Sequence, residues 1–499
     1  MRINEVTIEN FKNLQNFSIS FDESKMKTVL LGQNASGKSN FIEALLLIFK
    51  FLDLNTSSSK RVYPPFDYMI SYQIRNDNVK IICKDKKYII NINGKEKTET
   101  YKYFFSDEAK KKYQPKYVFT YYSGLSNRLK EHFWEHQENF YNKIIGDNFK
   151  DEELDSLRKL FYVQTVHSYF VLLSYFSFED EETESIKFLR EVLDIKDIES
   201  ILFILKKPKW AEAGSKKDPD DKFWTAKGLV RNFLDVLWEY SLAPIYNHED
   251  VQIDFKDTVS QDRLYLYISS KDKLKKLAKN YETNTGFFKA LESMYISKMM
   301  EEVKIKVKKE NTDGSITFKE LSEGEQQLLT VLGLLKFTKD EESLILLDEP
   351  DTHLNPLWKW KYLEFLDNVV GKDDSTQIII NTHDPLVIGN LTKEEVRIFR
   401  KDEGKIKTEI PEIDPRGLGV EGILTSELFG LPTTLDPYTM NLLDKKMEIS
   451  TIERKLTKEE RTRLGEINKE LEPFGLNFDK RFPDIVECLK ERYKKNRRK

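Results

Sequence analysis

The residues Gly32-Gln33-Asn34-Ala35-Ser36-Gly37-Lys38-Ser39 fit the pattern G-x-x-x-x-G-K-[ST] in full. Such a loop does phosphate chemistry. Its glycines let backbone N–H groups close around phosphate oxygens, and the helix that follows adds positive potential. Lys38 neutralises the β- and γ-phosphates, and the Ser39 hydroxyl ligates Mg²⁺. A second run, Leu344-Ile345-Leu346-Leu347-Asp348-Glu349, reads as a buried strand ending in two carboxylates. Asp348 is placed to complete the Mg²⁺ shell, and Glu349 to orient or deprotonate an attacking water. Alone, such a pair is as readily a helix N-cap; in the same chain as the phosphate loop the chemical reading is favoured.

A third segment, Leu321-Ser322-Glu323-Gly324-Glu325-Gln326-Gln327, stands ahead of an apolar helix. Read locally it is helix-start chemistry, an N-cap serine with acidic residues in the first turn. Asp351-Thr352-His353-Leu354-Asn355-Pro356 follows the carboxylate pair, and Asn381-Thr382-His383 ends another short apolar run.

Elements of suitable type flank each motif. The period of two over 3–21, marked by Ile3, Val6, Ile8, Phe17, Ile19 and Phe21, and the short run 28–31 predict strands leading into the phosphate loop. The loop opens an apolar helix to about Phe51. Alternation over 67–97, with turns at Asn76-Asp77-Asn78 and Asn93-Gly94, predicts an antiparallel meander. Residues 154–176 and 228–240 carry apolar residues at helical spacing. Strand alternation returns at 251–269 and at 303–318, split by Asp313-Gly314. Then come helix 323–336, strand 344–347, helix 357–369 and strand 378–381, an order that argues for a parallel α/β core.

The five motifs in this order resemble the complete ABC-type ATPase set: Walker A, signature, Walker B, and the two segments after it. The opening Ile8-Glu9-Asn10-Phe11-Lys12-Asn13-Leu14 and Asn40 after the phosphate loop are similar to the RecF/SMC/OLD-like branch. Transporter ATPases set the signature much closer to Walker A; here Ser322 lies 283 residues after Ser39. The resemblance implies an α/β fold. An ABC-type P-loop ATPase head, of mixed sheet plus antiparallel meander, carries a helical insertion and a helical C-terminal appendage. The expected divisions are 1–129 and 251–400 for the two lobes of the head, 130–250 for the insertion and 401–499 for a partner-binding region.

The resemblance also implies ATP and Mg²⁺ as cofactors and ATP hydrolysis as the activity. Residues 32–40 with Lys12 and Asn13 form the nucleotide site, and Ser39 and Asp348 hold the metal. Glu349 and His383 act on the terminal phosphate. Such ATPases pair head to tail as homodimers, or build higher oligomers, so that Ser322, Gly324 and Glu325 of one protomer meet the phosphate held by Lys38 of the other. Transporter-like ATPases carry a Gln loop after the meander. Here Tyr121-Tyr122-Ser123-Gly124 stands in its place, and both a substitute loop and a packed turn fit.

Residues 419–431, GVEGILTSELFGL, look like a segment of the ATPase subunits of Septu-type and retron-associated anti-phage systems. Those subunits work with a separate HNH nuclease, so the resemblance implies a nuclease partner in trans. The rival reading is a DNA-repair or recombination ATPase that clamps DNA directly.

Composition limits the remaining options. Lys+Arg 80 against Asp+Glu 84 gives a net charge of −4, so any DNA or RNA contact needs a local patch. The basic tail Lys494, Lys495, Arg497, Arg498, Lys499 fits such a patch or a solvated helix end. Two cysteines exclude a disulfide framework. The longest apolar stretches, such as 44–49, are far short of the ~20 residues a membrane helix needs, and a cytoplasmic protein is expected. His132 and His136 stand at i, i+4, but Phe133 occupies the glutamate position of H-E-x-x-H, so the zinc reading is the weaker one.

Overall fold

The three buried runs at 28–31, 344–347 and 378–381 become neighbouring parallel strands. They are Lys27–Gly32, Ser343–Asp348 and Gln377–Asn381 in the computed structural model, with Gln377–Asn381 in the middle. The structure describes residues 1–58, 61–96, 100–124, 126, 128–145, 158–179, 183–211, 222–252, 254–309, 315–336, 342–370 and 375–476. The full sheet has seven strands in the order Lys405–Glu409, Val396–Asp402, Lys27–Gly32, Gln377–Asn381, Ser343–Asp348, Tyr117–Tyr122, Leu160–Tyr162. All are parallel except Lys405–Glu409.

These strands lack polar alternation because both faces are covered. Leu30, Leu344, Leu346 and Ile379 point into one core, shared with the P-loop helix Lys38–Leu54 and the meander. Val29, Leu31, Ile345, Leu347, Ile378 and Ile380 point into the other. Register sets Asp348 beside Asn381 and Tyr122, and Asn381 beside Leu30. The phosphate loop and the carboxylates therefore leave the sheet at the same edge, the carboxyl end where open α/β sheets bind ligands.

The meander is a six-stranded antiparallel sheet. Arg2–Phe11 returns as Leu14–Ser20 through a two-residue turn at Lys12 and Asn13, with Lys12 at φ 55. Tyr68–Ile74, Asp77–Lys84 and Lys87–Ile92 follow, joined by tight turns at Arg75-Asn76 and Asp85-Lys86 with positive φ throughout. That geometry matches the twist of hairpin strands. The first turn sits one residue before the expected 76–78.

Residues 130–250 are not wholly helical. Helices Trp134–Ile144, Val166–Phe178, Glu184–Glu191 and Gly228–Tyr240 occur there, the last with the bounds that its apolar spacing predicts. The span also holds Leu160–Tyr162 of the main sheet, Ile195–Lys206, and Ile245–Gln252. Ile195–Lys206 is the centre of a third sheet, paired with Thr258–Ile268 and Met300–Lys309. Register shifts at Ile195/Asp197 and Ile198/Ser200 insert residues into its ladder. Bulges break the period of two, so Ile195, Ile198 and Ile201 fall at helix-like intervals of three.

Helix Glu323–Lys336 has its expected bounds. It crosses the fully buried part of Val166–Phe178 at Gly333, where an added Cβ would stand 2.2 Å from Val171 Cγ1. The Tyr175 hydroxyl donates to the Gly333 carbonyl at 3.0 Å there. A side chain at 333 would drive the two helices apart.

Two compact units partition the chain, Met1–Ile423 with Glu427–Phe429, and Leu424–Ser426 with Gly430–Lys499. The expected C-terminal region starting at 401 thus begins too early, because Val396–Asp402 and Lys405–Glu409 complete the main sheet. In the second unit, Asp436 caps Pro437–Ser450 and a Thr457/Glu460 capping box starts Lys458–Leu471. Leu442, Ile449, Ile467 and Leu471 pack between these helices. The basic tail, Cys488 and the Asp313-Gly314 turn lie outside the described residues. No helix among the described residues is long and apolar enough to cross a membrane.

Candidate functional site

The P-loop takes its shape from three positive-φ residues, Gly32 (φ 146), Ala35 (φ 62) and Gly37 (φ 95). Two of these sites admit glycine alone. A Cβ on Gly32 would stand 2.5 Å from the Phe399 carbonyl oxygen, and one on Gly37 would stand 2.9 Å from Leu14 Cδ2. The Lys12-Asn13 turn locks the loop from above, since Asn13 Nδ2 donates to the Ala35 carbonyl at 2.9 Å and Asn40 Nδ2 to Asn13 Oδ1 at 2.6 Å. Sequence-predicted residues 34–40, Lys12, Asn13, Glu349 and His383 all line one cleft of about 530 Å³, joined there by Arg128.

Lys38 is nearly fully buried. Its ammonium donates to the Gly32 carbonyl at 2.7 Å, the Gln33 carbonyl at 3.2 Å and Ser36 Oγ at 3.3 Å. Burial brings its pKa down to about 8 against the opposing pull of Asp348 and Glu349. A cation held this way gains from an arriving anion, because a partner of opposite charge restores the charged form.

Ser39 Oγ donates to Asp348 Oδ1 at 3.1 Å, and Asn381 Nδ2 hydrogen-bonds both Ser39 Oγ and Asp348 Oδ1. Burial raises the Asp348 carboxyl to about 6, despite the hydrogen bonds from Asn381 and Ser39. Asp348 Oδ2 and Asn381 Oδ1 are buried acceptors without a hydrogen-bond partner among the described residues. Buried acceptors are ordinarily satisfied. These two orphaned oxygens, beside the Ser39 hydroxyl, make a hard-oxygen donor set that fits Mg²⁺. The motif Asn381-Thr382-His383 by itself assigns Asn381 no role; the signal for one is its place at a strand end level with Asp348.

Glu349 adopts φ 54, a left-handed conformation that non-glycine residues avoid. Its N–H donates to the Asn381 carbonyl at 2.8 Å, which fixes the kink and turns the side chain, 41% exposed, toward the cleft. His383 Nε2 lies 3.7 Å from Glu349 Oε1. Burial, then the nearby Lys38 charge, lowers the His383 pKa. A neutral imidazole can pass a hydrogen bond between a carboxylate and a phosphate oxygen. Behind them Thr382 Oγ1 donates to Asp351 Oδ2 at 3.0 Å.

Ser322, Gly324 and Glu325 do not line this cleft. Ser322 and Glu325 close the capping box, with Ser322 N–H to Glu325 Oε2 at 2.7 Å and Ser322 Oγ to the same oxygen at 2.8 Å. Glu325 also pairs with Lys309. A Cβ on Gly324 would stand 2.6 Å from the His353 carbonyl oxygen, and Gln327 Oε1 accepts the His353 N–H at 3.1 Å. The signature helix thus rests on the segment that follows Glu349. Tyr121 to Gly124 line a second cleft with Glu323, Gln326, Gln327 and His353. Ser123 reaches the carboxylate strand, its N–H donating to the Asp348 carbonyl at 3.2 Å and its Oγ meeting Thr352 Oγ1 at 3.0 Å.

Sequence reasoning missed Glu43 and Arg128. Glu43 lies one helical turn after Ser39 and is buried, and it accepts from Lys12, from Arg128 Nε at 2.7 Å and from His132 Nε2 at 3.1 Å. A carboxylate inside the apolar run FIEALLLIF was the signal. Arg128 stands in a segment without periodicity and offered none. His132 and His136 face different carboxylates, Glu43 and Asp53, and no group of three or more His, Cys, Asp or Glu side chains placed to hold a metal occurs among the described residues.

Residues 1–388 match the AAA ATPase domain family. The chain is similar to the Septu protein PtuA of Bacillus mycoides (strain KBAB4), 33% identical over 138 residues that cover 24% of this chain and 19% of that protein. It is also similar to the retron Vc95 probable ATPase of Vibrio cholerae serotype O1 biovar El Tor, 32% identical over 74 residues, 15% of this chain and 14% of the relative. The matched region thus spans less than a fifth of the length of each of these two relatives. Among solved structures, the SMC head domain from Thermotoga maritima aligns with 83% of this chain and all of its own, at 15% identity and a TM-score of 0.33.

Proposed function

Because the chain belongs to the AAA ATPase domain family and is therefore an ATPase, we propose that it is the ATP-dependent subunit of an anti-phage defence complex. In this reading it pairs head to tail around ATP and regulates a nuclease, of HNH type, supplied by a partner chain. The observation that carries the ATP site is the convergence on one cleft edge of Lys38, Ser39, Asp348, Glu349 and His383, with two orphaned acceptors beside Ser39. The similarity to the Septu and retron proteins supports the defence setting.

Each residue has a part in the proposed reaction. Backbone N–H groups of the loop and the start of Lys38–Leu54 cradle the phosphates, and Lys38 trades its carbonyl partners for phosphate oxygens. Ser39, Asp348 and Asn381 would hold Mg²⁺, which when bound would neutralise charge developing on the phosphate oxygens. Glu349, presented by its left-handed backbone, takes a proton from the attacking water. His383 hydrogen-bonds the terminal phosphate. The separation of Ser322 and Gly324 from the cleft of their own chain supports a site completed by a second protomer.

Phosphate release and oligomeric state test this. Glu349→Gln is expected to slow hydrolysis by about 10²–10⁴-fold and to trap an ATP-bound dimer. Mixing Lys38→Ala with Ser322→Arg protein should recover partial activity, since one of the two hybrid sites is intact. No recovery at any mixing ratio removes the shared site. Copurification from the native operon tests the partner; a protein that retains duplex DNA by itself and brings down no nuclease sinks the defence reading in favour of a DNA clamp.

A further inference from the structure

Arg128 enters the nucleotide cleft from outside every motif. It follows the Tyr117–Tyr122 strand by six residues, and its guanidinium lines the cleft with Lys38, Glu349 and His383. Nε donates to Glu43 Oε2 at 2.7 Å and Nη2 donates to Asn40 Oδ1. Nη1 has no partner among the described residues, and the side chain is 28% exposed. The guanidinium is also near enough to Asp348 to help hold that carboxylate charged.

Glu43 explains how the arginine is kept there. The carboxylate is 5% exposed and receives Lys12, Arg128 and His132 together. One negative charge thus faces two positive ones, Lys12 and Arg128, so this wall carries surplus positive charge. A planar fork whose Nε and Nη2 are held by Glu43 and Asn40, with Nη1 open, is a preorganised ligand for a phosphate oxygen.

We infer that Arg128 is a substrate-contacting residue that donates to the terminal phosphate of ATP within its own protomer, with Glu43 as the carboxylate that aims it. Arg128 lines the same cleft as Lys38, Glu349 and His383, the residues assigned to the terminal phosphate. This rests on the cleft being the ATP site, and the test separates the two claims.

The experiment measures ATP and ADP affinity by titration calorimetry and steady-state hydrolysis for the full-length wild type, Arg128→Ala and Arg128→Lys, with folding checked by circular dichroism. A charged hydrogen bond to the terminal phosphate predicts that Arg128→Ala weakens ATP about tenfold or more while leaving ADP nearly unchanged, and lowers kcat. Arg128→Lys should recover part of both effects, since the charge returns without the fork. An unchanged ATP/ADP affinity ratio in folded Arg128→Ala overturns the inference. Should Arg128→Ala fail to fold, Arg128→Lys decides: a lowered ratio supports the contact and an unaltered one removes it. Folded wild type that binds no ATP overturns the ATP site itself, and Arg128's role with it.

Discussion

Glu43 and Asp348 are both buried carboxylates beside one cleft, and the fold treats them in opposite ways. Glu43 is saturated by Lys12, Arg128 and His132. Burial works to raise its pKa, but those three donors outweigh it and bring the pKa down to about 2. Asp348 has both its donors on Oδ1, keeps Oδ2 unpartnered and is raised to about 6. A carboxylate that structure needs is given its counter-charges in the chain. Asp348, which the proposed function gives to Mg²⁺, is left short of them, a cost that a bound cation would remove.

Breaking the saturated side should give the largest stability effect. Glu43→Gln removes a charge the fold has stabilised and leaves Lys12, Arg128 and His132 facing a neutral amide. The shift from 4.5 to about 2 corresponds to about 3 kcal/mol at pH 7. Because the folded pKa lies below the unfolded one, that stability is present above about pH 4.5 and is lost as pH falls toward 2. The melting-temperature gap between wild type and Glu43→Gln should therefore narrow only below pH 4.5, with roughly half or less remaining at pH 3. A gap that stays constant down to pH 3 means Glu43 acts by packing.

The unsaturated side should respond with the opposite sign and a smaller size. Asp348→Asn removes a buried, under-satisfied charge, and without nucleotide and Mg²⁺ it is expected to stabilise the protein by about 1 kcal/mol at pH 8. The same substitution should remove the dependence of ATP binding on Mg²⁺. A destabilised Asp348→Asn protein would show that Oδ2 is better served than its surroundings indicate. An exposed pair completes the series: Lys84 reaches Glu9 at 3.3 Å with both side chains about half exposed. Lys84→Ala should change stability by less than about 0.5 kcal/mol, and a larger loss would mean that burial is not what sets the other two apart.

The residues that meet at the cleft were legible wherever they stand in consecutive motifs. The phosphate loop, the Asp348-Glu349 pair and Asn381-Thr382-His383 each combine a strand end with polar groups, and the apolar runs before them are too short for buried helices. Helices 228–240 and 323–336 were equally plain, because an unbroken helix keeps its period. Ile195–Lys206 was not, since its bulges give a strand the spacing of a helix. The start of the C-terminal region was misplaced for a related reason: Lys405–Glu409 is a short edge strand whose alternation is brief.

The sequence by itself thus determined the glycine-rich loop between strand and helix, the strand that ends in a carboxylate pair and the parallel character of the core. These depend on local geometry and on period. Only the tertiary structure decided which carboxylate is neutralised and which is left open, because that depends on what arrives from distant segments. Arg128 comes to Glu43 from 85 residues away and Asn381 to Asp348 from 33. Charge balance at a buried site is a property of those meetings, and no stretch of the chain carries it alone.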